Sequence, residues 1–128
     1  MAAAALCAPF LEGLARGELR YQACLACGAP QTLARYACRA CGGTRLEWRT
    51  ANGRGTVYAT TVVARAPSEE FRALAPYTIA IVELDEGPRL MGHAPASVAI
   101  GDRVLAEYFA FAGRNLVRFR AEGAPPTA

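Results

Sequence analysis

The sequence contains no lysine; all 14 of its basic residues are arginine. Alanine is abundant alongside them, and the two biases together fit a GC-rich genome and carry no functional weight. The 11 acidic residues nearly balance the arginines, leaving a net charge of +3. Such a mild charge weighs against a protein whose nucleic-acid affinity rests on a dense basic surface. Long apolar runs are also missing: none approaches the roughly 20 residues needed to cross a bilayer. The start, Met1 to Cys7, has a faint signal-peptide look, but it lacks a positive n-region and its apolar stretch is short. Leu6-Cys7 resembles a lipoprotein site only superficially, since six residues without a charge precede the cysteine. The expectation is a cytoplasmic protein with no membrane association. With 128 residues, 53% of them hydrophobic and 20% charged, the chain has room for one modest folded domain, or a mini-domain and a small barrel.

What the sequence does have is cysteine in pairs. Cys24-Leu25-Ala26-Cys27-Gly28 and Cys38-Arg39-Ala40-Cys41-Gly42 are two Cys-x-x-Cys knuckles separated by ten residues, Gly28 to Ala37. Four thiolates at this spacing can close a tetrahedral shell around Zn²⁺, two from each turn. The glycine after each second cysteine suits the positive φ angles such turns require. In a reducing compartment paired knuckles read as metal ligands rather than disulfides. A rubredoxin-like iron site has the same ligand set but spaces its knuckles much further apart. All four ligand positions would come from protein, so the metal is expected to be structural. Ten residues between knuckles can form a small hairpin but no core, so the segment depends on metal, with a gain on the order of 10 kcal/mol.

Ahead of the knuckles, Pro9 to Arg20 reads as a short helix, with Leu6, Phe10, Leu11 and Leu14 on one face. Pro9 suits a first turn and Gly17 a stop. A helix this short needs something to pack on: the rest of the chain or a partner. Beyond Leu46-Glu47-Trp48 the pattern turns to strands, at Gly55 to Ala66, Tyr77 to Asp85, Arg89 to Ala94, Arg103 to Phe111 and Leu116 to Arg120. Between them lie a polar loop at 67–76 with one helical turn at Glu69 to Leu74, a short helix or loop at Pro95 to Ile100, and a turn at Gly113-Arg114-Asn115. Five short strands with a helical insertion after the third suit an OB-fold barrel; an open sheet of other topology is the alternative. The expected fold is mainly β: a helical segment at 1–18, a zinc ribbon at 19–48, an OB-fold domain at 49–122 and a disordered tail at 123–128.

This order of parts resembles a known family. Gly17-Glu18-Leu19, the two knuckles, Leu46-Glu47-Trp48, Gly53-Arg54-Gly55-Thr56-Val57-Tyr58, Pro76-Tyr77-Thr78-Ile79-Ala80 and Ile100-Gly101-Asp102-Arg103-Val104 together resemble the zinc-ribbon/OB-fold proteins called domain-of-unknown-function family 35, over about residues 10–120. The resemblance implies a small non-catalytic partner of a thiolase-fold enzyme, such as a thiolase or thiolase-like aldolase. Such a subunit stabilises the enzyme and helps form its CoA or acyl site. All four family cysteines are kept, which implies structural zinc on Cys24, Cys27, Cys38 and Cys41.

No catalytic residue is assigned from the sequence. Cys7 is a lone thiol without an evident base, and His93, the one histidine, has no nucleophile nearby in the sequence and reads as a surface or packing residue. A free-standing acyl-CoA enzyme is therefore disfavoured. Arg54, Arg65, Arg89, Arg114, Arg118 and Arg120 are spread over the barrel, and guanidinium groups suit the phosphates of CoA; none is singled out. Arg35 and Arg39 lie near the thiolates in sequence, either offsetting their charge or solvated. Of Tyr58, Tyr77, Tyr108, Phe109 and Phe111, the last three cannot all face one side of a strand, so some must lie outside the barrel core, favouring an interface. The competing function is a single-stranded nucleic-acid module, because ribbons and OB folds both serve that role.

Overall fold

A computed structural model of the chain describes residues 2–32 and 34–124. The tail expected at 123–128 falls, from residue 125 onward, outside the described residues. Helix α1 spans Ala2–Ala15, so it starts seven residues before the expected Pro9 and stops short of Arg20. The alanine-rich start has high intrinsic helix propensity, and one interior proline, Pro9, forfeits a single N–H without ending the helix. The stop falls where the glycine signal put it. Gly17 has φ 75°, its N–H donates to Leu14 O at 3.2 Å, and the Glu18 N–H donates to Gly13 O at 2.8 Å. These two bonds make a Schellman end that satisfies the last carbonyls. Arg20 then belongs to the first strand. Its guanidinium donates to Pro9 O at 3.1 Å, and its stem lies so close to Gly13 that a Cβ there would sit 2.9 Å from Arg20 Cγ. The helix that needed a partner packs on its own chain.

The next three strands form a small antiparallel sheet: β1 (Arg20–Cys24), β2 (Pro30–Gln31) and β3 (Leu46–Thr50), in the order β2-β1-β3. Strand β1 is central, with Tyr21, Gln22, Ala23 and Cys24 all buried. Tyr21 faces Arg49, and Gln22 faces both Gln31 and Trp48. Five further strands close a barrel: β4 (Arg54–Val63), β5 (Tyr77–Leu84), β6 (Arg89–Ala94), β7 (Arg103–Phe111) and β8 (Arg114–Ala121), in the order β4-β5-β6-β8-β7. All pairs are antiparallel except β6–β8, which meet in parallel at His93 and Arg118. This is the five-stranded OB barrel. A β-bulge between Val57 and Ala59 bends β4 so that it can pair with β5 and also, through Arg54–Thr56, with β7.

Local details depart from expectation. Strand β4 ends at Val63, three residues before Ala66. Strand β8 starts at Arg114, because the β7–β8 hairpin turns on Ala112 (φ 52°) and Gly113 (φ 79°) rather than on 113–115. Two positive φ angles in a two-residue loop match the right-handed twist of the flanking strands. The 95–102 connection is made of turns, with no helix among its residues, so the helical insertion is absent there. The helical turn in the 67–76 loop is present as α2 (Glu69–Arg72).

One core serves both sheets. Leu14, Leu19, Tyr21 and Ala23 join Val57, Val82, Val104 and Phe119 in a single buried cluster, and Phe119 is wholly buried at its centre. Gly92 makes room for it: a Cβ there would sit 2.8 Å from the Phe119 ring. Of the three aromatic residues on β7, Tyr108 packs against the core, where burial, helped by Glu18, pushes its phenol up to about 12. Phe109 and Phe111 lie on the other face, under a strap formed by α2. Phe71 of α2 meets Phe111 at 5.1 Å, and His93 meets Tyr77 at 5.1 Å and Phe109 at 5.5 Å between ring centroids. The rings outside the core are thus half-covered by the chain's own loop.

Phe119→Ala is expected to cost about 3–5 kcal/mol of stability, measured by chemical denaturation. A loss below about 1 kcal/mol would contradict its central place in the core. A second expectation concerns acid. Arg103 holds Asp85 through two bonds of 2.8 and 3.2 Å. That guanidinium, with the Asn52 amide, keeps the Asp85 carboxyl below its usual range. A carboxyl depressed in the folded state contributes stability above its unfolded value and loses it as pH falls through the folded one. Asp85→Asn is therefore expected to flatten the fall in thermal midpoint below about pH 4; an unchanged slope would count against the pair.

Candidate functional site

The two knuckles are built alike. The Gly28 N–H donates to Cys24 O and the Gly42 N–H to Cys38 O, each at 2.8 Å, with the glycines at φ 81° and 77°. Backbone amides also point at sulfur: Ala40 N–H donates to Cys38 Sγ at 3.3 Å and Gly43 N–H to Cys41 Sγ at 3.4 Å. Sequence spacing predicts that the four thiols converge, and they do. Cys24 and Cys41 Sγ lie 3.7 Å apart, Cys27 and Cys38 Sγ 3.6 Å apart, and all four sulfurs fall within 4.8 Å of one another. A tetrahedron with Zn–S bonds of ~2.3 Å has edges of about 3.8 Å, so the donor set fits Zn²⁺ in both chemistry and size. Cys24 and Cys38 are buried, Cys27 and Cys41 exposed.

The electrostatics lead to the same conclusion. The Cys27 N–H, ahead of burial working the other way, brings the Cys24 thiol down to about 6; the Cys41 N–H lowers Cys38. Cys27 is pushed up to about 12, because the neighbouring Cys41 and Cys38 sulfurs outweigh a lowering contact from the Ala29 N–H. The backbone stabilises negative sulfur at two positions, and crowding opposes it at a third. A divalent cation held by Cys24, Cys27, Cys38 and Cys41 would supply the charge that lets all four ionise together.

The loop carrying the second knuckle is held by two buried glutamines. Gln31 Nε2 donates to Gln22 Oε1 at 2.7 Å, and the same oxygen accepts from the Arg35 N–H at 3.0 Å. Gln22 Nε2 donates to Arg35 O at 3.1 Å, and Gln31 Oε1 accepts from the Arg39 N–H at 3.1 Å. Sequence reasoning missed both residues. The available signal was an amide in the middle of the otherwise apolar Tyr21–Cys24 run.

Two cavities adjoin the ribbon, and sequence reasoning anticipated neither. The larger, about 780 Å³, is a trough between α1 and the outer face of β5, β6 and β8, walled by Phe10, Leu11, Ile79, Ile81, Met91 and Leu116. Cys7 and His93 also line it, which gives the lone thiol a place on a groove wall. Burial lowers the pKa of His93, with a smaller contribution from Arg118, keeping the ring neutral at pH 7. The smaller cavity, about 260 Å³, is a cleft where the ribbon meets the β5–β6 turn, and it carries Arg35, Arg39 and Arg89. Thr32 and Arg89 line both cavities. The Thr32 hydroxyl donates to Arg89 O and ties ribbon to barrel at this point.

Most other barrel arginines are engaged with acids: Arg54 with Glu122, Arg114 with Glu70, and Arg118 and Arg120 with Glu107. Arg65 is exposed. Arg89 stacks on Tyr58 at 3.7 Å and reaches Glu83 at 3.3 Å. Arg35, Arg39 and Arg89 share the lining of the smaller cleft, Arg89 with Glu83 as its partner. Gln31→Ala would leave the Arg39 N–H without its acceptor, at a cost of about 1–3 kcal/mol. Faster loss of zinc to a chelator, followed with a metallochromic dye, is the expected result; an unchanged rate would show that the glutamine pair does not hold the knuckle.

Comparison with known proteins agrees with this architecture. Residues 11–47 match the rubredoxin-like zinc ribbon domain of ChsH2, and residues 48–108 its C-terminal OB-fold domain. A DUF35 domain-containing scaffold protein of Methanothermobacter thermautotrophicus is 36% identical over 94 residues, 70% of each chain. The 3-oxo-4,17-pregnadiene-20-carboxyl-CoA hydratase alpha subunit of Mycobacterium tuberculosis is 43% identical over 70 residues, 52% of this chain but only 22% of that longer protein. Among solved structures, the Ltp2-ChsH2(DUF35) aldolase contains a chain that superposes with a TM-score of 0.77 at 29% identity, covering 91% of this chain and 94% of that one. No helix among the described residues is long and apolar enough to cross a membrane. With its four-sulfur ribbon and closed five-stranded barrel in this order, the chain belongs to the DUF35 family of zinc-ribbon/OB-fold proteins.

Proposed function

We propose that the chain is a non-catalytic accessory subunit of a thiolase-fold enzyme acting on acyl-CoA, and that it helps form the CoA side of the active site. The observation that carries this reading is the nearly end-to-end match to the DUF35 chain of the Ltp2-ChsH2 aldolase. The likeness to part of a CoA-ester hydratase subunit supports the same substrate class. Cys24, Cys27, Cys38 and Cys41 hold one structural Zn²⁺, and a shell closed by four protein sulfurs offers no position to substrate. Four thiolate ligands suit a reducing cytoplasm.

The arginine cleft supports the CoA role. CoA carries a pyrophosphate and a ribose phosphate, and guanidinium groups recognise such oxygens through paired, charge-assisted bonds. Arg35 and Arg39 come from the ribbon loop and Arg89 from the barrel, so the junction itself makes the site.

Three outcomes are expected. Co-expressed with a thiolase-fold enzyme from its own genomic neighbourhood, the chain co-purifies through a single tag and raises that enzyme's activity; separate elution with the enzyme fully active alone would sink the proposal. Arg35→Ala with Arg39→Ala, whose backbone bonds to the glutamines are untouched, raises KM for acyl-CoA on the order of tenfold, about 1.4 kcal/mol, while co-purification persists. Elemental analysis finds one zinc per chain, and Cys38→Ser loses both metal and the folded ribbon by circular dichroism; a metal-free protein that stays fully folded would contradict the ligand assignment.

A further inference from the structure

We propose that the 64–76 strap between β4 and β5 is a pH-released flap: it lies closed on the outer barrel face while His93 is neutral and lifts when His93 gains a proton. Phe71 of α2 is the strap's foothold. Its ring meets Phe111 at 5.1 Å, His93 at 6.0 Å with 17° between the planes, and Tyr77 at 6.3 Å. The rest of the segment is weakly held. Helix α2 buries none of its four residues and has no side-chain cap at Ser68. The Ser68 hydroxyl is enclosed without a hydrogen-bond partner among the described residues, which favours an open state where water can reach it. The ion pair from strap to barrel, Glu70 to Arg114 at 3.1 Å, joins two half-exposed side chains, so solvent screens it.

His93 controls the flap because of the charges around it. Phe71, Tyr77 and Phe109 enclose its ring from α2, β5 and β7, with centroids 6.0, 5.1 and 5.5 Å away. A cation among aromatic rings is ordinarily favourable, but two of these rings already carry one. The Arg118 guanidinium lies 4.7 Å from the Phe109 centroid, and that of Arg114 5.6 Å from the Phe71 centroid. An imidazolium would add a third positive charge to the cluster. The nearby acids are engaged elsewhere: Glu107 of β7 with Arg118 and Arg120, Glu70 with Arg114, and Glu69 with Arg72. On the strand of His93 itself, Arg89 is paired with Glu83. The remaining titratable neighbours are Tyr77 and, on the trough wall that His93 shares, Cys7 of α1. Burial and Arg118 lower the His93 pKa in the closed form, so a proton binds more readily once the strap has left. The closed form is therefore fully favoured above the ordinary histidine value of about 6.5 and loses ground as pH falls below it. Release bares the faces of Tyr77, Phe109 and Phe111 that the strap covers.

The test uses the zinc-loaded full chain, with zinc content checked at each pH. The chain has one histidine, so its ring signal in proton NMR is unambiguous and should titrate below about pH 6.5. Amide exchange reports the strap, where the Leu74 N–H donates to Phe71 O at 3.0 Å and the Ala75 N–H to Arg72 O at 3.3 Å. Their protection, normalised to an unstructured chain at each pH, should fall about three- to tenfold from about pH 7.5 to 5.5, since one proton allows at most about tenfold per pH unit. His93→Phe keeps a ring in place and cannot titrate, so protection should stay level across this range. Glu70→Gln should lower protection by a similar factor at both pH values and keep the pH response. Unchanged protection in the unmodified chain would overturn the proposal. So would a response that survives His93→Phe, one that vanishes in Glu70→Gln, or a histidine signal that titrates at or above about 6.5. If His93→Phe fails to fold, Arg118→Gln takes its place: it should raise the titration point of His93 and shrink the pH response, and no movement in either would count against the proposal.

Discussion

The bond between the side chains of Gln31 and Gln22, at 2.7 Å in a buried site, is the contact on which the functional half of the molecule depends. Water cannot compete for it there, so each amide must find its partners within the protein. Those partners are the backbone of Arg35 and Arg39. Through them the pair fixes the loop between the knuckles, and that loop carries Cys38 to the other sulfurs and two arginines to the cleft. The four-sulfur cluster and the arginine cleft are therefore both held by one polar anchor, in a segment too small to have a core of its own.

The single core beneath both sheets explains why the ribbon can be so slight. Leu19, Tyr21 and Ala23 sit in the same cluster as the barrel's Val82 and Phe119, so β1 is at once the central strand of the ribbon and a lid on one end of the barrel. Helix α1 extends this cover, with Leu14 buried and Asn115 of β8 donating to Leu14 O at 3.0 Å.

Features coded locally could be read from the sequence. The cysteine spacing specifies two turns and their convergence, the alternation of apolar residues locates the barrel strands, and Gly17 ends its helix. The start of α1 departs from the first-turn position that Pro9 suggests, because propensity upstream outweighs the loss of one hydrogen bond. The turn at Ala112-Gly113 lies one residue ahead of the Gly113-Arg114-Asn115 signal, because a positive φ at alanine has no composition signal. The arginine cleft and the apolar trough have no local signature at all. Arg35 and Arg89 are more than fifty residues apart in the chain, and the trough has one wall from α1 and another from β5, β6 and β8. Only the fold places them together.

Barrel closure limits how this molecule can be recognised. Strand addition needs a free row of backbone donors and acceptors, and β4 to β8 close a ring, joined at its narrowest seam by the single pair His93 and Arg118. In the ribbon sheet the outer strands are β2, of two residues, and β3, which carries the ion pair of Glu47 and Arg49. Short and charged edges resist pairing with another chain. Along the ribbon sheet, recognition is then left to side chains.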